Sequence, residues 1–279
     1  MPTQFCKICN ATSAPFATGR ILNKYEIRYF RCEECGLVQT EEPYWLAESY
    51  TEAIHASDLG LVTRSVSLSW TSEVIISTLF NPGGRFVDYG GGYGIYVRLM
   101  RDAGFDFRRY DKYCENLFAQ GFDITPEDQC EFELLTAFEV LEHLPDPGKE
   151  LGRMLQMTSN IFFSTVLIPF HDPPRPGDWW YYGMDHGQHI AFYTRESFAR
   201  LAKRSELHFY STGTLHLLTK KRIPEALFRL LCDGRVSRLV ELLLPNRRPL
   251  LESDFQRLTR DGLTRLKRDS LTAPYERSI

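Results

Sequence analysis

The chain has 279 residues, of which 43% are hydrophobic and 25% are charged. These fractions are typical of a globular protein with room for one ordinary domain and an appendage. No run of about 18 apolar residues occurs, so the sequence predicts no membrane span. The N-terminus lacks the basic and apolar regions of a signal peptide, so export is not predicted and the cytoplasm is the expected location.

The charge is unevenly distributed along the chain. The net charge is −3, but residues 220–279 carry +6 and residues 1–219 carry −9. Because affinity for nucleic acid comes mostly from neutralised phosphates, an acidic body is a poor surface for it. Nucleic acid is therefore not the expected partner, and only the basic tail leaves that partner open.

Four of the cysteines form two CxxC pairs near the N-terminus. Such pairs at this separation are typical of four thiolates around a structural zinc ion. The alternating residues 25–31 predict a hairpin between the pairs, and hence a zinc ribbon over residues 1–42. A redox pair lacks the βαβ context here, and disulfides are not expected in the cytoplasm. The predicted zinc ligands are Cys6, Cys9, Cys32 and Cys35.

A strand that breaks into glycines follows a predicted helix over residues 60–80. The strand, residues 85–89, carries Asp88; glycines follow, and helical apolar spacing resumes at Ile95. Such a turn lets the backbone approach a ligand, with helix N-terminal N–H groups facing it, although tight turns also use glycine for steric reasons alone. The spacing differs from the dinucleotide fingerprint, which keeps two residues before its last glycine. The motif Asp88-x-Gly90-x-Gly92-x-Gly94 resembles the first motif of class I S-adenosylmethionine (SAM) methyltransferases.

The resemblance implies a role for the next carboxylate. Residues 107–111 read as a second strand that ends in Asp111, where a carboxylate can accept both ribose hydroxyls of the cofactor. The segment that follows is short, so the adenine side of the pocket is predicted to be abbreviated, with Asp128 as its candidate. Residues 43–84 are expected to form a helical linker that covers the cofactor, where Tyr50 and Arg64 could reach its carboxylate.

The most specific resemblance comes after the apolar run 132–138, which predicts a central parallel strand. Thr-Ala-Phe-Glu-Val-Leu-Glu-His-Leu-Pro-Asp-Pro, ending at Pro147, resembles the fourth-strand motif of a large bacterial SAM methyltransferase family. That family includes ubiquinone-pathway O-methyltransferases and sugar-tailoring enzymes. The resemblance implies that the backbone of Ala137 and Phe138 faces the methionyl end of SAM. Glu142 and His143 have a simpler interpretation as residues that anchor the next turn.

The remaining elements fit the same α/β layout. They predict a Rossmann-like, seven-stranded class I methyltransferase sheet over residues 85–219, closed by an antiparallel last strand. The order of ribbon and methyltransferase domain is similar to that of sugar C-methyltransferases. The predicted elements are a helix at 148–157, a strand at 160–166, a helix at 195–205 and a hairpin at 206–219.

A long loop, residues 168–194, is rich in proline and aromatic residues, and loops of this length are usually functional or disordered. Methyl transfer requires the acceptor to lose a proton, and a neutral imidazole suits that task. His189 and His186 are therefore the candidate catalytic bases, with ordinary loop hydrogen bonding as the alternative. The loop's flat aromatic faces, which suit sugar rings or aromatic substrates, are Trp179, Trp180, Tyr181 and Tyr182.

Residues 220–279 read as a basic helical C-terminal extension. Helices are predicted at 224–244 and 251–268. The extension could cap the substrate cleft or form an oligomer contact, and the sequence leaves both open.

The resemblance predicts a SAM-dependent methyltransferase with a structural zinc. Its expected acceptor is a small polar molecule, a sugar or glycan-precursor hydroxyl. Two alternatives stay open: an RNA methyltransferase, since some of those carry an N-terminal zinc knuckle, and a non-catalytic SAM-binding module.

Overall fold

The structure, a computed structural model, describes residues 4–50, 58–124, 131–245 and 247–260. Its strands are β1 (Gln4–Phe5), β2 (Thr12–Ile21), β3 (Tyr25–Cys32), β4 (Val38–Thr40), β5 (Arg85–Tyr89), β6 (Asp106–Tyr110), β7 (Leu134–Phe138), β8 (Ile161–Ser164), β9 (Ala191–Phe192), β10 (His208–Ser211) and β11 (Leu215–Thr219). Its helices are α1 (Leu46–Ser49), α2 (Leu61–Leu79), α3 (Ile95–Asp102), α4 (Pro147–Met157), α5 (Arg195–Arg204), α6 (Glu225–Leu231) and α7 (Gly234–Glu241).

The larger sheet has the strand order β10-β11-β8-β7-β5-β6. Strands β6, β5, β7 and β8 are parallel, and β11 runs antiparallel to both of its neighbours. This is the predicted Rossmann-like α/β sheet with its antiparallel last strand. Because the carboxyl ends of the parallel strands share one edge, the loops that follow β5, β6, β7 and β8 meet there.

The predicted seventh strand is reduced to a single bridge in the described part of the chain. Asp123 forms an isolated parallel bridge with Arg109 of β6. The N–H of Arg109 donates to the carbonyl of Phe122, and that of Ile124 donates to the carbonyl of Arg109, both at 2.8 Å. The connection after β6 is short for a full helix and strand, and the sheet as described has six strands and this bridge instead of seven strands.

Helices α2, α4 and α5 begin and end close to the predicted bounds because the capping residues are local. The helix predicted over residues 224–244 is instead divided into α6 and α7, since Asp233 caps the start of α7. Asp146 accepts from the N–H of Lys149 at the start of α4, and proline occupies the first helical position. Thr194 and Ser197 form a capping box at the start of α5. Residues 251–260 are helical, and the rest of the last predicted helix lies outside the described residues.

The smaller sheet joins the N-terminal ribbon to the long loop. Its order is β1-β2-β3-β4-β9, and β9 comes from the loop between β8 and α5. Cys35 and Leu37 share a buried cluster with Val87 of β5 and Leu135 of β7. The ribbon thus packs directly on the larger sheet, while the division into 1–42, 43–84, 85–219 and 220–279 stays a prediction.

Among the residues that the structure describes, no helix is long and apolar enough to cross a membrane.

Candidate functional site

The glycine turn after β5 has a backbone that other residues rarely adopt. Gly90, Gly92 and Gly94 have φ angles of 72°, 52° and 87°, in the left-handed region that glycine tolerates. A Cβ at Gly90 would lie 2.7 Å from the side chain of Val140, whereas one at Gly92 would meet no described atom within 4 Å. The turn therefore packs tightly on one side and presents bare backbone to open space on the other.

Asp88 lies behind this turn. Its carboxylate is buried and accepts a hydrogen bond of 2.6 Å from the Thr136 hydroxyl on β7. Burial raises the pKa of Asp88 to about 7, with a further contribution from Asp111. From this position Asp88 braces two strands beneath the turn, and its predicted contact with SAM stays a prediction.

Asp111, at the end of β6, connects the glycine turn to the following loop. One carboxylate oxygen accepts from the N–H of Gly92 at 2.9 Å. The other accepts from the N–H groups of Tyr113 and Cys114, both at 2.8 Å. A carboxylate has about four acceptor positions, so these bonds leave room for a further donor. The predicted ribose contact is compatible with this arrangement.

Arg109 is a residue of this region that the sequence analysis missed. Its buried guanidinium donates to the carbonyl of Gly92 and to Asp123, each at 2.6 Å, and also to the carbonyl of Cys114. It therefore fixes the glycine turn to the abbreviated edge of the sheet. An arginine on a strand two residues before the predicted ribose carboxylate was the available signal. The adenine candidate Asp128 lies outside the described residues.

The end of β7 leads into a strained backbone position. Ala137 is fully buried and Phe138 packs edge-on against Tyr96 at 5.1 Å between ring centroids. Glu139 then has a φ of 53°, which is uncommon for a residue other than glycine. The N–H of Glu139 donates to the Ser164 hydroxyl at 2.9 Å. This bond connects the backbone just after β7 to the end of β8.

Three histidines and a glutamate meet at the same edge of the sheet. The ring centroids of His143 and His189 lie 4.8 Å apart, and those of His186 and His189 lie 5.0 Å apart. Glu142 offers a carboxylate oxygen to the group. The structure thus brings the predicted His186 and His189 together with Glu142 and His143, which the sequence suggested only as anchoring residues.

Hydrogen bonds distinguish the two predicted bases. Nδ1 of His189 lies 2.6 Å from the carbonyl oxygen of Tyr181; because that oxygen can only accept, Nδ1 carries the proton and Nε2 is the basic nitrogen. Nδ1 of His186 accepts from the N–H of Gln188 at 3.1 Å, so its basic nitrogen is already engaged. Burial lowers the pKa of His189 to about 4, and burial also lowers the pKa of His143 well below its usual value. These two rings are neutral at pH 7.

Glu142 is a fully buried carboxylate in the 3-10 turn Leu141–His143. Its Oε1 accepts from the Tyr181 hydroxyl at 2.5 Å, and its backbone carbonyl accepts from the N–H of Ile190 at 2.9 Å. Oε2 has no hydrogen-bond partner among the described residues. Burial raises the pKa of Glu142 well above its usual value, and the nearby Glu139 adds to that shift.

The loop aromatics divide into two groups. Tyr181 and Tyr182 are buried against Phe192 of β9, in a cluster shared with the ribbon sheet. Trp179 is half-buried, whereas Trp180 is 76% exposed. The expectation of four available aromatic faces is therefore corrected, because the pairing of β9 with β4 draws both tyrosines into the core.

Of the two residues of the 43–84 linker predicted to reach the cofactor, one contacts the histidine cluster. The hydroxyl of Tyr50 lies 3.0 Å from Nδ1 of His143. Arg64 on α2 pairs instead with Asp58 through two hydrogen bonds of 2.8 and 3.2 Å. Residues 51–57 lie outside the described residues, so the predicted cover is only partly described.

The four ribbon thiols converge as predicted. The Sγ atoms of Cys6 and Cys35 lie 3.5 Å apart, those of Cys9 and Cys32 lie 3.4 Å apart, and all four lie within 4.8 Å of one another. Sulfurs around a tetrahedral zinc at about 2.3 Å are about 3.8 Å apart. The donor set and its spacing fit one zinc ion, with no position left for a substrate.

A family model described as a methyltransferase domain, Methyltransf_23, matches residues 70–211. The chain belongs to this methyltransferase family. The match extends from α2 through the glycine turn and the histidine cluster to β10. No curated protein matches the sequence.

Several solved structures are distantly similar to this chain. CalO1, a methyltransferase of calicheamicin biosynthesis, is 13% identical with a TM-score of 0.40, over 55% of this chain and 54% of CalO1. The mitomycin 7-O-methyltransferase MmcR is 17% identical with a TM-score of 0.41, over 62% and 59% of the two chains. An O-methyltransferase family 2 protein from Planctomyces limnophilus is 13% identical with a TM-score of 0.38, over 62% and 66%. The chain thus spans less than two thirds of the length of each of these structures.

Proposed function

We propose that this methyltransferase transfers the methyl group of SAM to a hydroxyl of a small polar acceptor, with a sugar or glycan precursor as the expected class. The observation that carries the proposal is the meeting of His143, His186 and His189 at the sheet edge that also holds the glycine turn. A hydroxyl becomes an effective nucleophile only when it loses its proton, and imidazoles at this edge can take that proton.

The SAM site in this proposal follows the glycine turn. The bare backbone at Gly92 admits close approach, and the carboxylate of Asp111 stands beside it with acceptor capacity for ribose hydroxyls. The end of β7 supplies the backbone for the methionyl side. When bound, SAM supplies the activated methyl group. The proposed cofactor-binding residues are Asp88, Gly90, Gly92, Gly94, Asp111, Ala137 and Phe138.

The proton step is assigned to His189. Its Nδ1–H is held by the carbonyl of Tyr181, which leaves Nε2 with the lone pair that can accept the acceptor's proton. His186 uses Nδ1 to accept from the N–H of Gln188 and so shapes the loop around His189. As the oxygen–methyl bond forms and the sulfur–methyl bond breaks, the hydroxyl proton moves to Nε2 of His189.

The proposed acceptor class is argued from the aromatic side chains beside the histidine cluster. Trp180 offers an exposed flat face of the kind that packs on sugar rings, and Trp179 is half-buried beside it. The −9 charge of residues 1–219 disfavours RNA as the acceptor.

We also propose a cytoplasmic location for the protein. We propose in addition an oligomer contact through α7 and the residues after it, which expose Leu239, Leu242 and Leu243.

A structural zinc in the ribbon completes the proposal. Cys6, Cys9, Cys32 and Cys35 would hold it, and the burial of this cluster against β5 and β7 supports a role in holding the ribbon on the main sheet.

The test has two parts. Calorimetry measures SAM binding, and transfer of a labelled methyl group is then measured with a panel of sugars, sugar nucleotides and RNA. We expect transfer to a sugar or sugar nucleotide, and we expect His189→Ala to lower kcat by about 10²–10⁴ with little change in SAM affinity. His171→Ala, on an exposed residue of the same loop, should leave kcat unchanged. SAM binding without transfer to any acceptor would favour a non-catalytic SAM-binding module. Transfer to RNA alone would favour an RNA methyltransferase.

A further inference from the structure

Glu142, His143 and His189 have the arrangement of a cation site. Each offers one ligand atom, and these atoms lie within 4.8 Å of one another. Ligand atoms on one side of a cation, each at about 2.1 Å from it, lie about 3.0–3.4 Å apart, so the widest pair in the cluster would close by about 1.5 Å on binding. Two imidazoles and one carboxylate suit divalent first-row transition metals in sites that keep open positions.

The buried carboxylate of Glu142 gives independent support. Buried polar groups nearly always have partners, and an unpaired one requires an explanation such as an ion. Oε1 is bonded to the Tyr181 hydroxyl, but Oε2 has no partner in the described part of the chain. Glu139 adds a second carboxylate nearby, and the guanidinium of Arg64 interacts with both carboxylates through its charge while its hydrogen bonds go to Asp58. A cation would supply the missing partner and balance the charge.

The surroundings of His189 also suit a ligand. Histidines that bind metals usually donate their other ring N–H to a carbonyl or carboxylate, which fixes the ring. Nδ1 of His189 does so with the carbonyl of Tyr181. The same Tyr181 donates its hydroxyl to Glu142, so one residue orients two of the three candidate ligands. The Tyr50 hydroxyl, 3.0 Å from Nδ1 of His143, lies at the border of the site.

We propose that Glu142, His143 and His189 bind a divalent first-row transition-metal cation whose open positions face the acceptor's hydroxyl. The catalytic part of this inference rests on the proposed function. A bound cation lowers the pKa of an oxygen that coordinates it. With the cation bound, Nε2 of His189 would be a ligand and the coordinated hydroxyl would release its proton to water, so the base role proposed for His189 applies to the cation-free site.

The probe is Mn²⁺, added to protein that holds one zinc ion per chain by metal analysis, after excess zinc has been removed so that none occupies the histidine cluster. Carboxylate and imidazole ligands hold Mn²⁺, whereas thiolates select softer metals, so the ribbon does not compete for it. Electron paramagnetic resonance counts the bound Mn²⁺ in the wild type, Glu142→Gln, His189→Ala and the control His171→Ala. We expect one bound Mn²⁺ per chain in the wild type and the control, and affinity at least tenfold weaker in the other two variants. Mn²⁺ should also raise the melting temperature of the wild type and of His171→Ala, but not that of Glu142→Gln or His189→Ala. Circular dichroism checks that every variant is folded.

The outcomes separate this inference from the proposed function. Absence of bound Mn²⁺ in the wild type, or equal binding in all four proteins, would overturn the site. Chelator-treated protein that binds SAM and methylates at an unchanged rate would overturn the catalytic part and leave the proposed function standing. Failure to bind SAM would overturn the proposed function, whatever the Mn²⁺ titration shows.

Discussion

Tyr181 and Glu142 form a buried hydrogen bond of 2.5 Å, from the phenol hydroxyl to Oε1 of the carboxylate. The bond joins the 3-10 turn after β7 to the loop after β8, which are 39 residues apart in the chain. The same hydroxyl lies 3.0 Å from Thr165 and accepts from the N–H of Val166 at 3.0 Å. The phenol group therefore orients the Glu142 carboxylate relative to the histidines, in addition to the backbone bond from Ile190 to the Glu142 carbonyl.

Tyr181→Phe should lower kcat by about tenfold or more and destabilise the fold by about 1–3 kcal/mol, because it leaves a buried carboxylate without its donor. Tyr182→Phe is the matched control, since the Tyr182 hydroxyl donates to the carbonyl of Pro174 at 2.8 Å, outside the histidine cluster. Chemical denaturation and the methyl-transfer assay measure both effects. Equal kcat values for the two variants would show that the Tyr181 bond does not position the site.

Metal analysis of the purified protein should give one zinc ion per chain, held by the four ribbon thiols. Cys6→Ser combined with Cys35→Ser should remove it, whereas Cys114→Ser, at a half-buried cysteine outside the ribbon, should retain it. Because the ribbon cysteines share a core with β5 and β7, loss of zinc should also lower the melting temperature of the whole protein. Zinc content that is unchanged in the double variant would refute the assignment.

The sequence was sufficient for features that depend on neighbouring residues. The glycine turn, the bounds of α4 and α5 and the ribbon hairpin each depend on residues close together in the chain, so spacing alone predicts them. The paired cysteines belong to the same class, since ligand spacing within a knuckle is local.

Features that depend on contacts between distant segments were not predictable. Glu142 and His143 enter the histidine cluster only because the loop after β8 folds back on the turn after β7, and no periodicity encodes that contact. Four consecutive aromatic residues likewise do not reveal that Tyr181 and Tyr182 face the core, which the pairing of β9 with β4 decides. Arg109 was missed for the same reason, because its partners lie on two other segments.

Asp111→Ala should weaken SAM binding at least tenfold. The change removes the carboxylate proposed for the ribose, where hydrogen bonds to a charged group contribute roughly 1.5–3 kcal/mol each. It also frees the N–H of Gly92, which loosens the turn. Asp102→Ala removes an aspartate at the end of α3 that pairs with Arg98 and serves as the control. Calorimetry that gives the same dissociation constant for wild type and Asp111→Ala would place the ribose elsewhere.

His216 should make the fold sensitive to acid. This histidine is buried in β11, with Nε2 2.9 Å from the carbonyl of Thr165 and Nδ1 2.9 Å from the Ser211 hydroxyl. Because the carbonyl only accepts, Nε2 carries the proton of a neutral ring, and Nδ1 accepts from the serine. Burial lowers the pKa of His216 from 6.5 to about 4, against the opposing effect of the Thr165 carbonyl, and the positive charge of Arg195 adds to the lowering.

Between pH 6.5 and about 4, the unfolded chain therefore binds a proton at His216 that the folded protein does not. The free energy of unfolding falls as the pH drops through this window, by about 3 kcal/mol from this residue. His216→Gln, which can still donate to Thr165, should lose this component, and His208→Gln, at an exposed position on β10, should keep it. The other buried histidines contribute equally to all three proteins and cancel in the comparison. Denaturant unfolding at pH 7, 5.5 and 4.5 measures the slopes, and parallel slopes for wild type and His216→Gln would show that this ring is not the acid-sensitive group.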